Sequence, residues 1–250
     1  MHYRKITKKF LTRINSQDAQ KYYWMVGKII AIDECGSIND PMNPFSVVVA
    51  NISYDLSRLK KHYQGRKLRG GYRYTEPTGE FFYLTIDPKM LRVASHTYGQ
   101  LKSYTAATLN GSFYPFMLRK DAIVRLLETA DYDPQRDVAL IDSFCKCSAL
   151  KEIIMETWQR VYGVEVPRQS VRCQRGADMV FPDVHDADSN AFRLFDRLTH
   201  DDYDEDDPTF FSRRVTLTDD DIIRYNLDRH RRREVRKLMK TSEIEMPFSL

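Results

Sequence analysis

The chain has 250 residues, of which 42% are hydrophobic and 12% aromatic, which excludes a disordered polymer and allows a sizeable core. With 30% charged residues and a mean hydropathy of −0.54, no stretch approaches the ~18–20 consecutive apolar residues of a membrane-spanning helix. The formal net charge of +4 conceals a segregation of sign. Residues 1–75 hold 14 Lys/Arg against 5 Asp/Glu, residues 183–207 hold 10 acids against Arg193 and Arg197, and residues 229–240 hold seven bases against Glu234. Four cysteines and a basic start with no apolar leader-like run point to a reduced, cytoplasmic protein.

In chain order, Ile6, Phe10 and Ile14 recur every four residues, which predicts a short basic helix over 4–15. Alternation through Trp24, Val26, Ile30 and Ile32 predicts a strand over 22–32, and the β-branched run from Phe45 to Ile52 predicts a second. Asp55, Leu56, Leu59 and Tyr63 suggest a brief helix. Tyr72–Thr75 and Glu80–Ile86 then flank Glu76-Pro77-Thr78-Gly79, a hairpin in which Pro77 presets φ and Gly79 accepts a positive one. A helical period through Ala94, Tyr98, Leu101, Thr105 and Thr108 runs to Asn110-Gly111, where the β-rich part is expected to end.

Helices are expected from about Lys120 to Ala130 and, longest of all, from Asp137 to Tyr162, where Leu140, Phe144, Cys147, Leu150, Ile154, Trp158 and Val161 trace one stripe up to Gly163. Residues 183–207 read as an acidic, solvated loop, with Ser189 capping a helix that carries Phe192, Phe195 and Leu198. Thr218 and Asp221 form a capping-box-like start to a last helix with acids first and bases last. The expected class is therefore α+β. A basic, strand-containing region with a β-hairpin (1–112) precedes a mainly helical region (113–250), as two units or as one interlocked domain.

The stretch 58–74 contains Arg58, Lys60, Lys61, Arg66, Lys67, Arg69 and Arg73 and no acid, interleaved with Tyr63, Tyr72, Tyr74 and three glycines. Cations meet phosphates, tyrosine rings offer stacking faces and glycines let a backbone approach, a mixture suited to single-stranded DNA or RNA. A solvated loop with inward tyrosines has the same composition. The base-rich tail, with Arg231, Arg232 and Arg233, could lie along a phosphate backbone or simply end a surface helix. The leading expectation is a non-enzymatic cytoplasmic protein that binds nucleic acid or a nucleic-acid-handling protein.

A second reading is a nuclease or phosphodiesterase. It would use His185 or His200 with the acids of 183–207, magnesium entering only under this alternative, or Arg224 with His230 and no metal. Arg224 and His230 resemble the Arg-x(4–6)-His pattern of HEPN ribonucleases over those two residues. The resemblance implies a pair that meets its symmetry mate across a dimer and cleaves RNA without metal. Asp87-Pro88-Lys89 likewise resembles half of a restriction-type nuclease motif, with a proline where a strand should run. A third reading is an accessory protein, of the kind phages carry, that inhibits a partner through the acidic stretch. Oligomerisation is compatible with all three. No zinc site is expected, since Cys145 and Cys147 would point about 200° apart on one helix, and Walker A, Gly-x-Ser-x-Gly and Gly-x-Gly-x-x-Gly patterns are absent.

Overall fold

The computed structural model describes residues 27–40, 42–59, 79–87, 90, 97, 113–142, 147–200 and 213–227. The predicted helix over 4–15, all of the one over 94–108 except Thr97, the first hairpin strand over 72–75 and the tail from 228 lie outside those residues.

The protein is α+β, built on a five-stranded mixed sheet. Strands β1 (Ile29–Ser37), β2 (Phe45–Ser53) and β3 (Glu80–Ile86) form an antiparallel meander, and β4 (Val138–Asp142) and β5 (Val171–Gln174) add to its other side, giving the order β3-β2-β1-β4-β5. β4 runs parallel to β1, and β5 parallel to β4. Helix α1 (Phe113–Thr129) leads into β4, α2 (Cys147–Tyr162) connects β4 to β5, and α3 (Pro182–Thr199) and α4 (Asp219–Asn226) follow.

Helices cover both faces, so the central strands are apolar on both sides. Ile30 and Ile32 face α1, α2 and α4 in a cluster with Met117, Leu127, Ile154, Trp158 and Tyr225. Ile29 and Ala31 face the other way, with Val138, Leu140, Phe181 and Val184, and α3 continues along that face over Val47, Val49 and Tyr83. Each fully buried Ile or Leu contributes about 1.5–3 kcal/mol relative to exposure. At the end of β1, Gly36 (φ +86°) lies so close to α3 that an added Cβ would stand 2.3 Å from the Phe195 ring. Phe195 stacks in turn on Phe45, with ring centroids 4.8 Å apart.

Two polar ties lock the helices. Asn190 of α3 donates to Asn51 of β2 at 3.0 Å, both side chains buried. On the opposite face, the buried ammonium of Lys120 pairs with Asp121 and donates to Asn226 Oδ1 at 2.7 Å, while Asn226 Nδ2 donates to Asp121 Oδ2 at 2.7 Å. That network fixes α4 against α1. Buried charges left without such partners would cost several kcal/mol.

Several expectations are corrected. Residues 138–142 are strand β4, and the helix begins only at Cys147. Val-Ala-Leu-Ile is a fully buried parallel strand, whose unbroken apolar run fits a helical stripe equally well. Strands therefore continue beyond residue 111. β1 reaches Ser37, five residues past the expected end, because its polar terminus still pairs with Phe45–Val49 of β2. Residues 183–199 are helix, and Ser189 sits in its middle; Phe181 is the N-cap, with Pro182 in the first turn. The brief helix after Asp55 is a 3-10 turn, Leu56–Leu59. Strand β3, the positive φ of Gly79 (+82°) and the Thr218–Asp221 capping box form as expected.

Candidate functional site

Asp33 and Asp142 close the apolar parts of β1 and β4. Ile32 and Ile141 are register neighbours, so the two aspartates follow on adjacent parallel strands whose backbones lie about 4.8 Å apart. Side chains alternate along a strand, and Ala31 and Leu140 both face α3, so Asp33 and Asp142 share that face. The chain order departs in opposite directions at this junction, to β2 on one side and β5 on the other. In open sheets with parallel strands, the crevice at such a switch point, beyond the carboxyl ends, is where ligands bind.

The turn after β5 completes the group. Gly176 adopts φ +69°, a conformation that carries no penalty for glycine, and starts a 3-10 turn over Ala177–Met179. This geometry aims two backbone N–H groups at Asp142 Oδ1, from Gly176 at 2.9 Å and Ala177 at 3.3 Å. It also brings the buried Asp178 carboxyl into hydrogen-bond contact with Asp142. Burial first, then Asp178, pushes Asp142 up to about 6, against the two N–H donors. Two carboxylates in contact cannot both ionise cheaply, so the pair keeps a proton up to about pH 6 and gives it up above that.

Neighbouring groups extend the acidic field. The backbone N–H of Glu34 donates to Asp33 Oδ1 at 2.8 Å. The Glu34 carboxylate pairs at 2.8 Å with Arg119 of α1, yet burial raises it to about 7, Arg119 lowering it and Asp142 adding to the rise. Burial and the nearby Asp188 push the Cys35 thiol up to about 11, so it is a protonated, poorly nucleophilic neighbour. Among the described residues, no group of three or more His, Cys, Asp and Glu side chains closes into a metal-holding arrangement by itself.

None of Asp33, Glu34, Asp142 or Asp178 was among the sequence-derived candidates. The available signal was an acid at the end of an apolar, β-branched run, Ile-Ile-Ala-Ile-Asp-Glu and Val-Ala-Leu-Ile-Asp. For the second run it was masked by assignment to a helix. Of the candidates proposed from sequence, Lys60, Lys61, Tyr63, Arg66, Lys67, Arg69, Tyr72, Arg73, Tyr74, His230, Arg231, Arg232 and Arg233 lie outside the described residues. Arg58 is turned onto α3, where its guanidinium pairs with Asp183 and Asp186. Burial raises Asp183 to about 6 in spite of that pairing.

His185 and His200 do not converge. They lie 15 positions apart at either end of one helix, about 22 Å along its axis, and His200 caps its own helix through Asp196 O at 2.8 Å. Arg224 is committed to structure. Its Nη2 donates to Glu128 at 2.9 and 2.8 Å and to Asp221 at 3.1 Å, while Tyr225 OH donates to Glu128 at 2.6 Å. The structure thus sets His185 and His200 at opposite ends of one helix and engages Nη2 of Arg224 with Glu128 and Asp221.

No family model matches the chain, and no curated protein matches it in sequence. Among solved structures, it is similar to one described as the crystal structure of Bst-RNase HIII in complex with Mn2+, at 16% identity and a TM-score of 0.37. The match covers 72% of this chain and 56% of that one. So loose a superposition carries no functional argument. No helix among the described residues is long and apolar enough to cross a membrane.

Proposed function

We propose that the protein acts on nucleic acid as a divalent-cation-dependent phosphodiesterase, with Asp33, Asp142 and Asp178 as its acidic centre. The observation that carries this reading is the contact between Asp142 and Asp178, held by the Gly176 and Ala177 amides beside Asp33 at the carboxyl ends of two parallel strands. Such a pair stores repulsion that either a proton or a cation relieves, and a cation competes with the proton near neutral pH. Magnesium characteristically takes one or two carboxylates together with substrate phosphates. An acidic centre that does not close into a complete cage is suited to recruiting the ion jointly with a phosphodiester. The bound ion would supply charge stabilisation and a water activated for attack on phosphorus. Water adds to phosphorus, the bond to one ester oxygen breaks, and the products are a phosphomonoester and a free hydroxyl.

Nucleic acid is favoured over a small phosphodiester by the charge pattern. The acid-free run from Lys60 to Tyr74 and the basic tail offer phosphate contacts far in excess of what a small substrate needs. In this reading they serve substrate affinity.

The test is cleavage of labelled RNA, single-stranded DNA and duplex DNA with magnesium, manganese or EDTA. Activity is expected with a divalent cation and absent in EDTA. It should fall at least about 100-fold in Asp142→Asn and Asp178→Asn, the scale of losing a principal charge-stabilising group, and survive His185→Ala and His200→Ala. No cleavage of any substrate, or full activity in Asp142→Asn, overturns the reading.

A further inference from the structure

The outer edge of the sheet carries a second electrostatic feature. β5 is the terminal strand of the order β3-β2-β1-β4-β5, and among the described residues nothing pairs with its outer side. Lys151, Arg172 and Arg175 gather around it. Arg172 lies on β5 itself, Lys151 on the helix packed behind it, and Arg175 in the turn immediately before the amides that hold Asp142.

The register fixes their directions. Arg172 is the partner of Leu140 and so points to the α3 face, where its guanidinium lies over the Phe181 ring, 5.2 Å from the centroid. Cys173 pairs with Ile141 and points to the other face, toward Lys151. The two cations therefore straddle the edge strand, one on each side.

Their lack of a carboxylate partner contrasts with several other cations of the fold. Lys28, Arg58, Arg119, Lys120, Arg125 and Arg224 are each ion-paired to a carboxylate. Beside the β5 edge, Arg168 already holds Glu152 at 2.9 Å. Among the described residues, Lys151, Arg172 and Arg175 have no carboxylate at ion-pair distance. Lys151 and Arg172 are half-buried, so each carries a desolvation cost that no ion pair offsets, Glu152 acting on Lys151 only at longer range. Burial accordingly lowers both, Arg168 and Arg172 adding to the effect at Lys151.

Resting on the phosphodiesterase reading, we infer that Lys151 and Arg172, with Arg175, seat the phosphodiester backbone of the substrate strand along the β5 edge as it leads into the acidic centre. Gln174 is the register partner of Asp142, and Arg172 lies two residues before it, about 7 Å along the strand. That spacing is on the order of one or two nucleotide steps from a phosphate held at Asp142. A polyanion at this edge supplies the missing counter-charge to both half-buried cations. Arg172 is preoriented for it, since the Phe181 ring fixes the guanidinium plane and leaves its fork free for bidentate contact with phosphate. These are positioning residues, and they act on binding without touching the reacting atoms.

The experiment is fluorescence anisotropy with a labelled single-stranded oligonucleotide across a potassium chloride series in EDTA, so that no turnover is needed. Lys151→Gln/Arg172→Gln is expected to bind roughly 10- to 50-fold more weakly at 50 mM salt, and its log–log salt slope should shrink by about 1.4, the value for two lost phosphate contacts on a single strand. Arg172→Lys should restore the salt slope, which counts charge, but only part of the affinity, which the stacked fork supplies, and Lys151→Gln alone, on the helix surface, gives a variant whose fold is not at stake. In the cleavage assay, the double variant should raise KM and leave kcat within about threefold. Unchanged affinity and slope in a folded double variant overturn the inference, even if Asp142 proves essential for cleavage. Weakened binding in the double variant with no cleavage by the wild type leaves the edge site standing and removes the phosphodiesterase. A wild type that ignores oligonucleotides at low salt removes both.

Discussion

Replacing Asp142 by asparagine should make the protein more stable at alkaline pH while abolishing the proposed activity. The Asp142 carboxyl stands at about 6 instead of 3.8, raised by burial and by Asp178. Its folded-state value exceeds its unfolded one, so folding favours the protonated form. Its contribution is therefore whole below about pH 4 and is lost as pH climbs through about 6. Two units at about 1.4 kcal/mol each give roughly 3 kcal/mol. Partial solvent access reduces that to about 1–2 kcal/mol. Asparagine carries no charge at any pH, and its side-chain oxygen can still accept from the Gly176 and Ala177 amides. Urea unfolding of both proteins in EDTA from pH 4 to 8 should show nearly equal stability at the acid end. At pH 8 the variant should be ahead by about 1–2 kcal/mol, or about 3–6 °C in Tm for a chain of this size. A variant that is less stable at pH 8, or a difference that does not change with pH, refutes the argument that the acidic centre is a strained, charge-repelling pair. Wild-type stability should itself fall between about pH 4 and 7, because Glu34 and Asp183 are raised in the same sense.

Two further outcomes test the frame that holds the site. Glu128 would be raised by burial, but hydrogen bonds from Arg224, Tyr162, Tyr225 and Arg125 hold it at about 2. Its stabilisation is present above about pH 4.5 and lost as pH falls toward 2, so Glu128→Gln should cost about 2 kcal/mol at pH 7 and little near pH 2, measured by urea unfolding. Gly36→Ala must place a methyl 2.3 Å from the Phe195 ring and 2.6 Å from the Phe45 carbonyl at φ +86°. Thermal unfolding should show a loss of at least about 2 kcal/mol from overpacking and left-handed strain together, and Phe195→Ala in the same chain should relieve only the ring's share, the clash with the Phe45 carbonyl remaining.

Where structure is set by local chemistry, the chain is legible from its residues. β2 stands out because Val47-Val48-Val49 is a β-branched run bounded by Pro44 and Asn51. The last helix is marked by Thr218 and Asp221, whose reciprocal bonds depend on a three-residue spacing. The switch from strand-rich to helix-rich sequence likewise follows from period alone, and with it the α+β class.

The acidic centre belongs to the tertiary structure. Asp33, Asp142 and Asp178 are separated by more than a hundred residues and by a few tens, and each is an ordinary acid in its own stretch. They meet because β4 crosses over to lie parallel beside β1, a non-local pairing that no local propensity encodes. The same crossing explains the misreading of Val138–Ile141: a strand buried on both faces loses the alternation that would identify it. Charge runs mislead for the opposite reason. Most acids of 183–199 solvate or brace one helix, whereas the carboxylates that shift one another's ionisation are those that burial and a folded turn have forced together.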